Sequence, residues 1–417
     1  MKICIHRGTA EIGGSCVEIQ SKKTRIIIDA GHPLSGAKGS LPPDIASIDA
    51  VLISHPHQDH YGLIEELPPK IPVYIGELSQ ELIQTSRLFT KKQLLSNSFN
   101  NFKPWKSFTI GDFKITPYLV DHSATDAYGF LIEGEDKRIF YSGDFRGHGR
   151  KQKLFKNILS SPPKSIDLLL MEGTAINRGE PEFPDEDSVE EAILKELTEH
   201  DIPCFLICSS QNIDRLVSAY KASATARRIF VVDIYTAWVL KEVSTIISKN
   251  IPTIDWDIVR VLSKGRTAAA HYRVIKGHKQ HFKGFVYELY KENNVITIDE
   301  IAKNPKNYFI KNNYIEEIAD KTNCDQMTVI YSMWKGYMSK EFNPSGYKRF
   351  RDLKDSSTVN FVYAHTGGHA DLEELKKYAE AIAPKVLVPI HTEHRDLYSE
   401  YFDNVHPLKD GDTFELT

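Results

Sequence analysis

Residues 54–62 read SHPHQDHYG and follow directly on the apolar run AVLI at residues 50–53. Within six positions this segment holds four side chains that can bind metal ions, namely His55, His57, Asp59 and His60. Residues two apart in an extended backbone share a side, so the spacing predicts that His55 and His57 bind one ion while Asp59 and His60 turn towards a second. Imidazole and carboxylate ligands suit zinc. The alternative is a polar surface loop, which would give HxHxDH spacing only by accident.

Length and composition set limits on the class of protein. A chain of 417 residues exceeds the roughly 250–300 residues that one core holds, so at least two domains are expected. Its five cysteines are scattered and odd in number, which fits neither a disulfide framework nor a CxxC zinc site. The first residues, MKICIHRGTAEIGG, lack the hydrophobic stretch of a signal peptide, and no apolar run reaches the roughly 18–20 residues that cross a bilayer. We therefore expect a cytoplasmic protein without a membrane partner.

The hydrophobic pattern divides the chain into three parts. Up to about residue 172, β-rich runs such as KTRIIIDAG, FKITPYLVDH and KRIFYSGD end on polar residues, which predicts a sheet with His and Asp at one rim. An α/β alternation follows, beginning with PDEDSVEEAILKELTEH and CFLICSS. Strand-like runs return with TVNFVYAHTGG. We predict a first domain formed by residues 1–178 and 356–417, with a second domain, 179–355, inserted into it.

Other residues extend the first motif into a family pattern. The HxHxDH segment resembles the signature of metallo-β-lactamase-fold hydrolases, and further motifs of that family are matched in order by Asp29, by His122 in LVDHSATDAYG and by Asp144 in FYSGDF. The resemblance implies an α/β fold of the αββα sandwich type. It also implies that Asp29 orients the metal ligands from behind.

The later part of the chain is similar to the β-CASP group, whose members act on nucleic acids and carry an inserted α/β domain. Glu172 in SIDLLLMEG, His369 in HTGGHAD and His391 in KVLVPIHTEH match motifs of that group, and the ribonucleases J resemble the chain most closely. The histidine at the last motif favours RNA as substrate, with single-stranded DNA as the alternative. Where ribonucleases J have Ser-Gly-His, this chain has Gly367, Gly368 and His369, so it departs from the family's 5′-phosphate pocket.

The resemblance implies a ligand set for two zinc ions per chain, with Mn²⁺ as the alternative ion. The implied ligands are His55, His57 and His122 for the first ion, Asp59, His60 and His391 for the second, and Asp144 with a water as bridges. The implied reaction is hydrolysis of RNA phosphodiester bonds by a metal-generated hydroxide, leaving 5′-phosphate and 3′-hydroxyl ends. Asp59 would also orient the hydroxide. His369, tuned by Glu172, would bind the scissile phosphate or protonate the departing oxygen.

Two features predict contact with a nucleic acid. The net charge is −4, yet residues 259–354 contain 18 lysines and arginines against 10 aspartates and glutamates, with aromatic residues between them. A solvated surface without a partner is the alternative. In SSQNIDRL, at the start of a predicted helix, Ser209, Ser210 and Arg215 are candidates for binding phosphate, or else an ordinary helix cap with a surface arginine. Gly367 and Gly368 are further candidates for substrate contact.

Two other functions stay open from the sequence. The first is a hydrolase of a small ester, thioester or lactam, in which the inserted domain acts as a lid. The second is a nucleic-acid-binding scaffold without catalysis, against which the complete set of ligand residues argues. The sequence also leaves open the mode of cleavage, the end from which it would proceed, the physiological RNA and the oligomeric state.

Overall fold

The computed structural model describes residues 1–34, 38–291 and 294–417, which form two compact units. Unit 1 comprises Met1–Gln84, Leu94–Pro181 and Gly367–Thr417. Unit 2 comprises Thr85–Gln93 and Glu182–Thr366. Most of unit 2 therefore interrupts the chain of unit 1. Among the described residues, no helix combines the length and the apolar composition needed to cross a bilayer.

Unit 1 is built mainly from strands rich in isoleucine, leucine, valine and aromatic residues, which favour an extended backbone. Those before the insertion are β1 (Lys2–Arg7), β2 (Cys16–Gln20), β3 (Arg25–Ile28), β4 (Ala50–Leu52), β5 (Val73–Gly76), β6 (Phe99–Phe102), β7 (Phe108–Ile110), β8 (Phe113–Val120), β9 (Ala127–Gly134), β10 (Lys137–Tyr141) and β11 (Leu168–Glu172). The helices of this part are α1 (Gln58–Tyr61), α2 (Glu77–Phe89) and α3 (Gln152–Ser160), with 3-10 turns at Ile45–Ser47 and Ile64–Glu66.

Unit 2 alternates strands and helices around one parallel sheet. Its strands are β12 (Cys204–Ile207), β13 (Ile229–Val232), β14 (Val259–Leu262), β15 (Val295–Ile296), β16 (Tyr308–Lys311), β17 (Met327–Tyr331) and β18 (Val359–Tyr363). Its helices are α4 (Glu186–Glu199), α5 (Ile213–Thr225), α6 (Ile234–Ile246), α7 (Arg266–Gly277), α8 (Phe285–Leu289), α9 (Ile298–Ile301), α10 (Glu316–Thr322) and α11 (Tyr347–Asp355), with 3-10 turns at Pro305–Asn307 and Lys335–Met338. The strand order is β15-β14-β13-β16-β12-β17-β18.

The chain then returns to unit 1 and completes its two sheets. The returning elements are α12 (Leu372–Ile382), β19 (Val386–Ile390), a 3-10 turn at Arg395–Leu397, α13 (Tyr398–Tyr401) and β20 (Thr413–Glu415). One sheet has the order β20-β1-β2-β3-β4-β5-β6, and the other has the order β19-β11-β10-β9-β8-β7. Because β19 pairs with β11 and β20 with β1, the last part of the chain contributes to both sheets.

The two sheets of unit 1 pack face to face and carry helices on their outer faces. Isoleucines of the first sheet and aromatic residues of the second share one buried core, which contains Ile3 and Ile26 together with Phe130. A second core lies between the other sheet and its helices, where Tyr378 of α12 packs with Phe155 of α3. A third core lies between the first sheet and its helical layer, which includes α1. The predicted αββα sandwich with an inserted α/β domain is therefore confirmed.

The limits of unit 2 differ from those predicted. The return to the first domain was expected at residue 356, but unit 2 continues to Thr366. The reason is β18, which pairs in parallel with β17 and so extends the sheet of unit 2. The segment Thr85–Gln93 also groups with unit 2, although it lies far earlier in the chain.

The ends of the strands of unit 1 determine where its polar residues meet. Asp29 follows β3, the HxHxDH segment follows β4, His122 follows β8, Asp144 follows β10 and His391 follows β19. Ligand sites in layered α/β folds commonly lie beyond the carboxyl ends of strands. This edge of the sandwich is therefore the place to look for a functional site.

Candidate metal centre

Three histidine side chains converge beyond the ends of β4 and β8. The Nδ1 atom of His57 lies 3.1 Å from Nε2 of His55 and 3.3 Å from Nε2 of His122. His55 and His122 are fully buried, whereas His57 is partly exposed. The ligand atoms of the three histidines all lie within 4.8 Å of one another, as the ligands of a single cation do.

A second group of ligand atoms lies beside the first. Nε2 of His391 lies 3.3 Å both from Oδ2 of Asp59 and from Nε2 of His60. Oδ2 of Asp144 lies 3.1 Å from Nε2 of His60 and 3.7 Å from Nε2 of His55. One carboxylate oxygen therefore lies between the two groups and can contribute to both.

The histidines of the first group are neutral at ordinary pH. Burial lowers the pKa of His55 well below its usual value, and the neighbouring His60 lowers it further. Burial likewise lowers the pKa of His57 to about 4 and holds the pKa of His122 well below the usual value. Because metal ions bind the neutral form of imidazole, these three side chains are already in the form that binding requires.

The second group lies among buried carboxylates. Burial alone would lower the pKa of His60, but the carboxylates of Asp144, Asp29 and Asp59 outweigh it and raise that pKa well above its usual value. Burial also opposes ionisation of Asp144, yet His391 and His60 hold its pKa well below the usual range. Buried carboxylates are costly unless positive charge balances them, so this group attracts cations.

Asp29 holds the ligand segment from behind. It is fully buried, with a positive φ of 62°. One carboxylate oxygen accepts a hydrogen bond from the amide of Ser54 at 2.7 Å, and the other accepts from the hydroxyl of Tyr141 at 2.7 Å. The second oxygen also lies 2.8 Å from Nδ1 of His60. This contact leaves Nε2 of His60 turned towards Asp144, as expected of a carboxylate that orients a metal ligand.

Two contacts fix the orientation of His391. Its Nδ1 lies 2.8 Å from the hydroxyl oxygen of Thr174, so that Nε2 faces Asp59. Its backbone amide donates to the carbonyl of Gly8 at 2.6 Å. His391 has a φ of 50°, in the left-handed region that a non-glycine residue adopts only at a cost. The backbone is therefore locally strained at the residue whose side chain completes the cluster.

Glu172 and His369 form a pair next to the cluster. Nδ1 of His369 lies 3.1 Å from Oε1 of Glu172 and 3.8 Å from Oδ2 of Asp144. The carboxylate of Glu172 is buried and also accepts from the amides of Phe145 and Thr174 at 3.0 and 3.1 Å. The side chain of His369 is 20% exposed. Its Nε2, on the opposite edge of the ring, is therefore the atom that can meet a substrate.

The donor set fits zinc. Tetrahedral zinc with bonds of about 2.0–2.1 Å to nitrogen or oxygen places neighbouring ligand atoms about 3.3 Å apart. The separations of 3.1 and 3.3 Å in the first group, and of 3.3 Å in the second, are of this size. Overlapping groups of three or four ligand atoms, all within 4.8 Å of one another, share His55, His60, Asp144 and His391. This arrangement can hold two cations side by side.

The candidates in SSQNIDRL lie in unit 2, and their side chains differ in exposure. Ser209 is exposed, whereas Ser210 is buried and accepts from Nζ of Lys311 at 2.6 Å. Arg215 is fully buried, and its guanidinium binds Glu186 of α4 at 3.0 Å. The structure thus differs from the prediction of a phosphate-binding Arg215, because this guanidinium neutralises a buried carboxylate instead.

Gly367 and Gly368, the other predicted substrate contacts, lie in the loop before His369. The carbonyl oxygen of Gly368 lies 2.5 Å from Nδ1 of His122 and thus serves a histidine of the first group. The carbonyl of Gly367 accepts from Nη1 of Arg146 at 2.6 Å. The carbonyls of both glycines therefore point at side chains of unit 1.

Sequence reasoning missed three residues that support the cluster. Ser54, Tyr141 and Thr174 bond to Asp29 or His391. Ser54 and Thr174 lie next to predicted motifs in the sequence, and this position could have identified them. Tyr141 ends an apolar strand and was indistinguishable from a core residue, because only the folded sheet brings it to Asp29.

Comparisons with known proteins give two family matches. Residues 24–199 match the Beta-lactamase superfamily domain. Residues 361–403 match the Zn-dependent metallo-hydrolase RNA specificity domain. The first match contains the HxHxDH segment, His122 and Asp144, and the second contains His369 and His391.

Individual relatives agree with these matches. "Probable RNase MJ4" of Methanocaldococcus jannaschii is 29% identical over 53% of this chain and 57% of its own length. "Ribonuclease J" of Helicobacter pylori is 24% identical over 100% of this chain and 61% of its own length. The chain thus spans about three fifths of these relatives. A solved structure of a protein of unknown function from Enterococcus faecalis has a TM-score of 0.77 at 21% identity, covers 99% of both chains and shows the same fold.

Proposed function

We propose that this chain, which has the metallo-β-lactamase fold and is similar to the ribonucleases J, is a zinc-dependent ribonuclease that hydrolyses RNA phosphodiester bonds. The observation that carries this proposal is the position of Oδ2 of Asp144 between two groups of buried ligand atoms. The match to an RNA specificity domain supports RNA as the substrate class.

In this proposal the cluster binds two zinc ions per chain, with Mn²⁺ as the alternative. The proposed ligands are His55, His57 and His122 for one ion, Asp59, His60 and His391 for the other, and Asp144 for both. Two divalent ions held there would supply a water molecule of lowered pKa and positive charge for the phosphate.

The side chains around the ions complete the proposed mechanism. Asp59 accepts a hydrogen bond from the attacking water and directs it at phosphorus. Glu172, held by two backbone amides, keeps Nδ1 of His369 bonded and so presents Nε2 to the substrate. There His369 binds the scissile phosphate or donates a proton to the departing 3′ oxygen. The products carry 5′-phosphate and 3′-hydroxyl ends.

The surface of unit 2 supports a nucleic acid as the partner. Residues 259–354 carry the excess of positive charge, and within them the side chain of Arg266 is 85% exposed and Tyr287 is 77% exposed. Exposed cations attract a phosphate backbone, and exposed aromatic rings stack on bases. We infer that single-stranded RNA is the substrate, with single-stranded DNA as the alternative.

The deciding experiment is cleavage of labelled nucleic acid by the purified full chain. RNA labelled at the 5′ or the 3′ end and DNA of the same sequence are incubated with the protein, with and without EDTA. We expect RNA to be cut, the cutting to stop with EDTA and to return when zinc is added. A ladder of products indicates internal cleavage, and mononucleotides indicate cleavage from an end.

The same preparation tests the two competing functions. Efficient hydrolysis of a β-lactam or thioester without RNA cleavage would replace this proposal with a small-molecule hydrolase. RNA binding without cleavage, together with a site that takes up no zinc, would indicate a scaffold. His57→Ala serves as the inactive reference, and His200→Ala, at an exposed position of unit 2 outside residues 259–354, is the matched histidine control that keeps full activity.

A further inference from the structure

The loop before His369 is held by side chains from elsewhere in unit 1. The carbonyl of Gly367 accepts from Nη1 of Arg146 at 2.6 Å and lies 3.3 Å from Nε2 of His148. The next carbonyl, that of Gly368, lies 2.5 Å from Nδ1 of His122. Two consecutive carbonyls therefore connect the loop of His369 to the histidine cluster.

Arg146 is the most buried of these anchors. Its side chain has no exposed surface, and its Nε lies 3.4 Å from Oδ1 of Asp121, the residue that precedes His122. Its backbone amide donates to the carbonyl of Asp121 at 2.7 Å. The planar guanidinium thus reaches from the end of β10 both to the end of β8 and to the loop of Gly367.

We propose that Arg146 is a positioning residue that holds His122 and His369 in one fixed arrangement. This inference rests on the proposed function and names a residue outside its ligand set. The bond from His122 to Gly368 fixes which imidazole nitrogen faces the first cation site, because a ring that donates Nδ1 offers Nε2 as the ligand. Arg146 maintains the geometry of that bond by holding the adjacent carbonyl of Gly367.

The charge and shape of arginine suit this role. Its donors form a rigid fork that can serve the Asp121 carboxylate and the Gly367 carbonyl at once, whereas a lysine ammonium is a single point of charge. His148 supports the same carbonyl and is held by Glu374 of α12, with Nδ1 to Oε2 at 3.1 Å. The loop is therefore fixed from two sides, with the buried arginine as the stronger of its two donors.

The test compares Arg146→Met and Arg146→Lys with the wild type in the full chain. Cobalt(II), whose visible absorption reports the geometry of a zinc site, is titrated into metal-depleted protein. We expect both variants to bind cobalt about 10–100-fold more weakly, as found when groups that orient metal ligands are removed, and Arg146→Lys to recover part of the loss. We also expect the kcat for RNA to fall with little change in KM, because Arg146 does not contact the substrate.

Arg138→Met is the matched control. Arg138 lies in β10 and binds Glu133, so its loss should leave cobalt affinity and kcat unchanged. Circular dichroism checks that each variant is folded. A folded Arg146→Met variant with wild-type cobalt affinity would overturn the proposal.

A further variant covers the case in which Arg146 variants do not fold. His148→Gln removes the weaker donor to Gly367 and should reduce cobalt affinity in the same direction by a smaller factor, and an unchanged affinity would then count against the proposal. If the wild type cuts no RNA, the proposed function fails on its own. The cobalt titration still decides whether Arg146 positions the cluster.

Discussion

At the scale of single residues, the proposed chemistry depends on side chains with two separable tasks. Asp144 and the histidines around it are placed to hold cations, whereas His369 bonds to Glu172 and lies 3.8 Å from Asp144. The proposed mechanism therefore predicts different defects when members of the two sets are removed.

Asp144→Ala and His57→Ala should abolish both zinc content and RNA cleavage, because each takes away a proposed ligand. His369→Ala should keep the zinc and lose about 100-fold or more in kcat, the usual contribution of a positioned proton donor. Metal analysis of the purified variants beside single-turnover cleavage measures both effects. Full activity in all three variants would contradict the assignment.

The loop of Gly367 and Gly368 gives a second residue-level prediction. A Cβ atom at Gly368 would lie 2.5 Å from Oγ of Ser123 and 3.0 Å from Cε1 of His122, too close for either atom. Gly368→Ala should therefore displace His122 and weaken zinc binding by about 10-fold or more. At Gly367 the nearest atom is the amide of His369 at 3.9 Å, so Gly367→Ala is the matched control for zinc affinity. Equal zinc affinities in Gly368→Ala and Gly367→Ala would contradict this expectation.

Local spacing carried the prediction for the HxHxDH segment, the resemblance to the metallo-β-lactamase family supplied His122, Asp144 and His391, and long-range partners account for what was missed. All of these residues follow strands, whose ends can be read from the sequence. The environment of Arg215 could not be read, because its partner Glu186 lies 29 residues upstream on another helix. Arg146 escaped notice for the same reason, since its acceptors Asp121 and Gly367 come from separate parts of the chain.

At the scale of elements, the histidine of β1 makes the pairing of β1 with β2 sensitive to pH. Burial opposes ionisation of His6, but hydrogen bonds to Cys4 and to Glu18 of β2 raise its pKa to about 9. Because this pKa lies above the ordinary value of 6.5, protonated His6 stabilises the fold fully below pH 6.5 and loses that contribution as the pH rises through about 9.

His6→Gln should therefore lower the unfolding temperature clearly at pH 6 and only slightly at pH 9.5. Thermal unfolding of wild type and variant at both pH values measures the difference. His278→Gln, at an exposed position of unit 2, is the control variant and is measured at the same two pH values. If His6→Gln lowers the unfolding temperature equally at both pH values, the imidazole acts by packing alone.

The order of the strands in the sheets could be predicted where strands that are neighbours in the sequence pair with each other. The antiparallel run from β7 to β10 follows from short turns between apolar segments. The strand β18 was assigned to the first domain because its apolar pattern resembles that of the returning strands. Its parallel partner β17 is separated from it by α11, and nothing in a local pattern specifies such a pairing.

At the scale of the whole molecule, bound metal should stabilise unit 1. An ion present at about 1,000 times its Kd adds about 4 kcal/mol to the free energy of unfolding. For a domain of this size that corresponds to about 8–16 °C, at about 2–4 °C per kcal/mol. EDTA should lower the unfolding temperature of the wild type by this amount, as calorimetry would show. EDTA should leave the unfolding temperature of Asp144→Ala unchanged. An equal decrease in that variant would mean that the stabilising ion does not bind at the cluster.

The late position of His391 has a consequence for synthesis of the protein. This histidine reaches the cluster only after Glu182–Thr366 and α12 have been made, and β19 must then pair with β11 to bring it there. A nascent chain still on the ribosome therefore holds an incomplete set of ligands, however well its first half has folded. On the proposed mechanism, such a chain cannot cleave RNA until translation has passed the codon of His391 and β19 has paired with β11.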